Sequence, residues 1–233
     1  MIVFDGVSLN SVAGIKIKDV HVFPIQYEEV ARPHAIRGGS TFVRSRAGTR
    51  TVQITFALLD ENDVSRQASL LAISQWAKAD KEYKLELPGH PAFYLMAVCT
   101  DKPSPSLREW WESELRLVFT CFENPYWNAK WEKSVACGTQ FNVLGDAPPL
   151  IRIERTVSGS AVSDQSYALD GRKITFSTIP VGDMVIDLNE QTAAVGSTSI
   201  MEYYNVNSRF LIPRAGTQTI TGTGTVKYRE RWQ

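Results

Sequence analysis

The segment Thr51 to Leu58 constrains the chain more than any other. Val52, Ile54, Phe56 and Leu58 alternate with Thr51, Gln53 and Thr55, and a period of two over eight residues is the mark of a half-buried antiparallel strand. Glu114 to Phe122 behaves alike, with Leu115, Leu117, Phe119 and Cys121 on one side. A chain built from such segments must pair strands before it can bury a core. The fold is therefore expected to be mainly β.

The opening residues Ile2, Val3 and Phe4 run into Asp5-Gly6, the dipeptide favoured in a two-residue type I′ turn, and return through Val7 and Leu9. That loop sets Phe4 opposite Val7 and Ile2 opposite Leu9, which predicts one apolar face. In IKIKDVHVF, Ile15 and Ile17 share a phase that Val20 and Val22 miss by one residue, so a β-bulge is expected near Lys18-Asp19. One helix is predicted at about 64–79, opened by an Asp63 cap and carrying Leu70, Leu71, Ile73 and Trp76. Its broad apolar arc predicts cover on more than one side. Tyr83 to Leu87, the turn PGHP, and Phe93 to Cys99 read as a further strand pair.

Between Glu123 and Pro149 periodicity fails, and Pro148-Pro149 forbids both helix and central strand. The expected division is a first domain at 1–134, a linker at 135–149 and a second domain at 150–233. Beyond Pro149 no helix is convincing. The segments LIRIERTV, SYALDGRKITF, MVIDL, SIMEYY and TVKYRERW are separated by Gly, Ser and Thr, and Asp170-Gly171 makes a second hairpin that sets Tyr167 opposite Ile174. This spacing predicts a β-sandwich.

At 233 residues, with 43% hydrophobic and 21% charged, the chain can bury a substantial core. Lys plus Arg equals Asp plus Glu at 25 each, so no net field draws the whole chain to nucleic acid or anionic lipid, and no dedicated nucleic-acid site is expected. The longest apolar run, Ala92 to Cys99, is far short of the ~20 residues of a membrane span. MIVFDGVSLN has no basic start, so it does not read as a signal peptide, and a soluble protein made in a cytoplasm is expected. Cys99, Cys121 and Cys137 show no metal spacing and form no disulfide framework. They are expected to be buried thiols.

Hydrolase-elbow, P-loop and zincin patterns are absent. His21, His34 and His90 sit in three different contexts, and the adjacent acids Glu28-Glu29 and Glu112 with Glu114 read as solvated surface. GTGTV lacks the following helix that a phosphate cradle needs. No catalytic residue, cofactor or metal is expected. Two features remain. From Val30 to Leu59 there is no acid, while Arg32, Arg37, Arg44, Arg46 and Arg50 occur on a stretch interrupted by Gly38, Gly39 and Gly48; such an arm suits contact with a polyanion or with acids of another subunit, and it equally suits a solvated hairpin arm with no partner. Aromatic residues at Tyr126, Trp127, Trp131, Tyr203 and Tyr204 could stack on a sugar or pack inside the fold.

The order of these elements carries a resemblance. A DG hairpin, an arm with Arg and Gly, one helix after a clean strand, TCFENPYW, and an all-β second half with VGDMVIDLNEQTAAVG, SRFLIPRAGTQTI and TVKYRERW together resemble the distal tail protein family of long-tailed, non-contractile bacteriophages. Phe210, Pro213 and Gly216 match one of its loose motifs. The resemblance covers nearly the whole chain. It implies an N-terminal split β-barrel with one α-helix and a C-terminal galectin-like β-sandwich. It also implies a homo-hexameric ring at the virion tail tip, made in the host bacterial cytoplasm. Such a ring is the hub that joins the tail-tube protein to tail-tip, baseplate or receptor-binding proteins. Arg32, Arg37, Arg44, Arg46 and Arg50 are then the subunit-interface candidates. The alternative is a module binding host surface saccharide, with Tyr203, Tyr204 and Trp127 as candidates.

Overall fold

The computed structural model describes residues 1–11, 15–33, 40–59, 62–103 and 115–233. Among these residues it is mainly β with one α-helix, and it divides into two compact units, Met1–Trp127 with Gln233 and Asn128–Trp232. The stretch 135–149, read as a linker, falls within the second unit and contributes strands there.

The first unit opens with β1 (Val3–Phe4) and β2 (Val7–Ser8), joined by Asp5 and Gly6 at φ 49° and 76°. Both positive angles are those a type I′ turn requires, and Phe4 faces Val7 as expected. Ile2, Phe4 and Leu9 are buried but Val7 is half exposed, so the apolar face has three members and not four. Next come β3 (Ile15–Val22), β4 (Tyr27–Pro33), β5 (Ser40–Ala47) and β6 (Arg50–Leu58). β3 pairs with β6, and its register slips between Ile17 and Asp19, where the phase change placed the bulge.

The helix α1 spans Asp63–Trp76 and is capped by Asn62, whose side chain accepts from the Ser65 N–H at 2.9 Å. The cap lies one residue before the expected Asp63, which forms the first helical position and adds a favourable negative charge there. Ile73 and Trp76 are buried while Leu71 and Val64 are exposed, so the helix is covered on one side only. Then follow β7 (Tyr83–Glu86), β8 (Phe93–Asp101) and β9 (Leu115–Cys121). Hydrogen-bonded neighbours run β2-β1-β7-β8-β9-β6-β3. This path is open: its end strands β2 and β3 do not pair with each other among the described residues. β8 bridges its two halves, pairing through Leu95–Ala97 with β7 and through Val98–Asp101 with β9. Phe4, Trp76 and Phe119 lock helix to sheet, with Phe4 4.9 Å from Phe119 and the Trp76 indole N–H donating to the Val7 carbonyl at 2.9 Å.

The strand β10 (Trp127–Ala129) spans the division between the units in sequence. The second unit holds β11 (Lys133–Ala136), β12 (Gln140–Val143), β13 (Leu150–Val157), β14 (Val162–Leu169), β15 (Arg172–Ile179), β16 (Gly182–Asp187), β17 (Thr192–Val195), β18 (Thr198–Ser199), β19 (Gly216–Thr219), β20 (Thr225–Arg229) and β21 (Arg231–Trp232). A six-stranded sheet runs β11-β20-β13-β16-β17-β18, and the pairs β12-β19 and β14-β15 stand apart from it. One core joins these layers. Ile153, Met184, Ile186 and Val226 come from the large sheet, and Tyr167, Ile174, Phe176 and Phe141 from the pairs. Two sheet layers over a shared apolar interior make a sandwich.

Asp170-Gly171 turns as predicted and Tyr167 faces Ile174. SIMEYY departs from expectation: Met201–Tyr203 is a 3-10 turn and not a strand. That three-residue turn is the longest helical element after Pro149 among the described residues.

Candidate assembly interface

β3 and β6 belong to a longer hairpin that leaves its sheet. Past Val22 and before Arg50 the ladder continues through Phe23 N–H to Thr51 O at 2.9 Å, Gln26 N–H to Thr49 O at 2.8 Å and Gly48 N–H to Gln26 O at 2.7 Å. Beyond that root, among the described residues, β4 and β5 pair only with each other. The sequence permits this because Pro24 removes a donor at the junction and Gly48 sits where a side chain would meet the Gln26 carbonyl.

The distal hairpin pairs Tyr27 with Ala47, Glu28 with Arg46, Glu29 with Ser45 and Val30 with Arg44, then shifts so that Ala31 faces Phe42. Val43 is thus the extra residue of a bulge. Tyr27, Val30, Phe42 and Val43 are all exposed, Phe42 at 60%. A lone two-stranded hairpin is marginal in water, and here it shows four large apolar side chains to solvent. Such an arm gains stability when another surface covers it.

The five arginines do not form one group. Arg44 and Arg46 lie exposed on β5, and Arg46 meets Glu28 across the hairpin at 2.5 Å. The acid-free stretch is therefore partly neutralised by an acid just before it, which pairing brings opposite. Arg32 is on β4. Arg37 lies outside the described residues, as do His34, Glu112 and Glu114. Arg50 is on the inner face of β6, opposite Cys121 in register and 3% exposed, with its guanidinium 5.7 Å from the Trp127 ring centroid. Its phase was legible: Arg50, Val52, Ile54 and Phe56 alternate as one buried row, which places Arg50 with the core strand and not with the arm.

The saccharide candidates are engaged inside the fold. Trp127 is buried and packs its ring 4.2 Å from His90 as well as under Arg50. Tyr204 stacks on Phe210 at 5.3 Å and 15°, and Tyr203 packs against the second core. Trp131 is the exposed aromatic of its stretch, and no sequence signal separated it from its neighbours. Burial pushes the Cys99 thiol up to about 11 and the Cys121 thiol up to about 12, so both stay protonated near neutrality. Among the described residues no three His, Cys, Asp or Glu side chains are grouped to hold a metal, and no helix is long and apolar enough to cross a membrane.

No protein-family model matches the chain, and no curated protein does. Among solved structures it is similar to the crystal structure of SPP1 Dit (gp 19.1), described as a paradigm of the hub adsorption apparatus in phages infecting Gram-positive hosts. That alignment covers 100% of this chain and 98% of the other at 14% identity, with a TM-score of 0.78. Two structures of the phage P2 baseplate in its activated conformation, with Ca and with Sr, align over 96% of this chain and 92% of theirs. They do so at 8% and 7% identity and a TM-score of 0.48, a level that carries no weight. The whole-length alignment matches the distal-tail resemblance read from the order of elements: this chain has the fold of the SPP1 Dit protein.

Proposed function

We propose that the chain is a structural subunit of a phage tail and not an enzyme. Six copies form a ring that serves as the hub between the tail-tube protein on one side and tail-tip, baseplate or receptor-binding proteins on the other. The first unit builds the ring as a split barrel, and the second is a galectin-like sandwich. The observation that carries this reading is the self-paired hairpin β4–β5 with its exposed Tyr27, Val30, Phe42 and Val43, set in a fold shared along its whole length with a hub protein.

The physical case is one of closure. A head-to-tail contact repeated about an axis gives a ring when its rotation closes. A protruding hairpin supplies that contact by packing on, or adding strands to, the next subunit. Zero net charge lets like subunits approach without mutual repulsion. The carbohydrate-module reading through Tyr203, Tyr204 and Trp127 has less support, because Tyr204 and Trp127 use their ring faces within the fold.

Native mass spectrometry and negative-stain microscopy test the proposal on the full chain, alone and with the tail-tube protein of its phage. Six-fold rings are expected in at least one of the two. Monomers throughout would overturn it.

A further inference from the structure

A polar notch in the second unit has the makings of a ligand site. Ile174 and Phe176 of β15 point into the core, so Lys173 and Thr175, in the opposite phase, face outward. The chain from Tyr204 to Arg209 runs beside that face. Phe176 bridges Tyr204, the Asn205 N–H donates to the Thr175 carbonyl at 2.9 Å, and the Arg209 N–H donates to the Lys173 carbonyl at 2.8 Å. Between these anchors the loop bows outward, and Lys173, Thr175, Asn205, Asn207 and Ser208 line a cavity of about 190 Å³.

The groups there divide into two sets. Ser208 Oγ holds the floor, accepting from the Thr175 N–H at 2.9 Å. Asn205 Oδ1 accepts from the Asn207 N–H at 2.9 Å, which orients that amide with Nδ2 free. Lys173 Nζ, Asn205 Nδ2 and the Asn207 side chain make no hydrogen bond or ion pair among the described residues. The unengaged set is therefore rich in donors and carries one full positive charge. The two segments that line it agree: residues 171–179 and 203–210 contain no Asp or Glu and hold Arg172, Lys173 and Arg209. The cavity is smaller than the roughly 300–1,000 Å³ usual for drug-sized ligands, which suits a single ring. Exposed Val206, in the same loop, offers an apolar contact.

We propose that this notch binds an acidic saccharide unit. Its hydroxyls meet Thr175, Asn205 and Asn207, and its one phosphate or carboxylate meets Lys173. Its residues all belong to the second unit, whereas the proposed ring contact is the hairpin of the first.

Ligand-observed NMR on the full-length protein tests this with four probes: glucose 1-phosphate, glucuronate, glucose and inorganic phosphate. Glucose 1-phosphate or glucuronate should bind at least tenfold more tightly than glucose, and whichever binds identifies the acidic group. Lys173→Ala should weaken that binding at least tenfold and Asn207→Ala at least threefold, while Lys16→Ala in the first unit leaves it unchanged. Thr175→Val, on a strand that tolerates β-branched residues, should also weaken it and serves if the loop variants misfold. The proposal fails if neither acidic sugar binds, if Lys173→Ala binds as well as wild type, or if inorganic phosphate binds as tightly as glucose 1-phosphate.

Discussion

The Arg50 guanidinium lies over the Trp127 ring, 5.7 Å from its centroid, and the Trp127 ring in turn packs 4.2 Å from His90. Arginine chosen as an interface residue and tryptophan chosen as a sugar platform thus meet as a buried pair within the first unit. A cation over an indole face in a desolvated setting contributes about 2 kcal/mol, and a buried tryptophan truncated to alanine costs about 3 to 5 kcal/mol. Trp127→Ala should therefore destabilise the first unit by several kcal/mol in urea unfolding. Arg50→Ala should cost about 2 kcal/mol or more, and Arg50→Lys should not restore it, since the planar guanidinium is what stacks. Wild-type stability in Arg50→Ala would contradict the pairing.

Arg44 and Arg46 should behave differently. Their side chains are exposed, and the Arg46–Glu28 pair at 2.5 Å sits at 66% and 57% exposure, where an ion pair is worth about 0 to 1 kcal/mol. Arg44→Ala with Arg46→Ala should leave the denaturation midpoint nearly unchanged. If the chain assembles through this arm as proposed, the same double variant should weaken subunit association, because a charge pair desolvated at an interface costs about 2 to 5 kcal/mol when truncated. Light scattering of both proteins, under conditions where the wild type assembles, measures this. Equal assembly would free the arm's arginines from any role in the contact.

Phe42, the most exposed large apolar side chain of the distal hairpin among the described residues, gives a sharper separation. Phe42→Asp removes no core contact, so far-UV circular dichroism and thermal unfolding should match the wild type. Assembly should fall at least tenfold if a neighbouring copy covers the arm, since a carboxylate buried without a partner is strongly unfavourable. Unchanged assembly would move the contact to the edge strands of the open first-unit sheet.

The buried thiols set an alkaline limit. In the folded chain burial raises Cys99 to about 11 and Cys121 to about 12, while in the unfolded chain a thiol titrates near ~8.5. Above that value the unfolded state binds fewer protons than the folded one, so stability falls as pH rises. Stability from these groups is complete below about pH 8.5 and declines progressively toward pH 11 to 12. Denaturation midpoints across that range should show the decline, and Cys121→Ser would not preserve the wild-type slope. At neutral pH a thiol reagent should label half-buried Cys137 before the other two.

The helix cap separates two adjacent candidates. Asn62→Ala removes the acceptor for the Ser65 N–H and should cost about 1 kcal/mol. Asp63→Ala removes only a favourable charge at the first helical position and should cost about 0.3 to 1 kcal/mol. Thermal unfolding orders the two, and the larger loss is expected for Asn62.

What the sequence determined by itself was local. Two Asp-Gly turns fixed their hairpins because they meet the positive φ that type I′ demands, as Asp5-Gly6 and Asp170-Gly171 show. The alternation around Ile54 and Leu117 fixed which faces are buried, and the phase slip after Ile17 fixed a bulge, because side-chain period in a strand is set by the backbone alone. Only the tertiary structure decided how distant residues were paired. It set Glu28 against Arg46, gave Trp127 to Arg50 and His90, turned Met201–Tyr203 into a 3-10 turn packed on the second core, and drew 135–149 into that unit. These outcomes depend on which segments meet in space and on how much apolar area each meeting removes from water. No spacing within the chain encodes that choice.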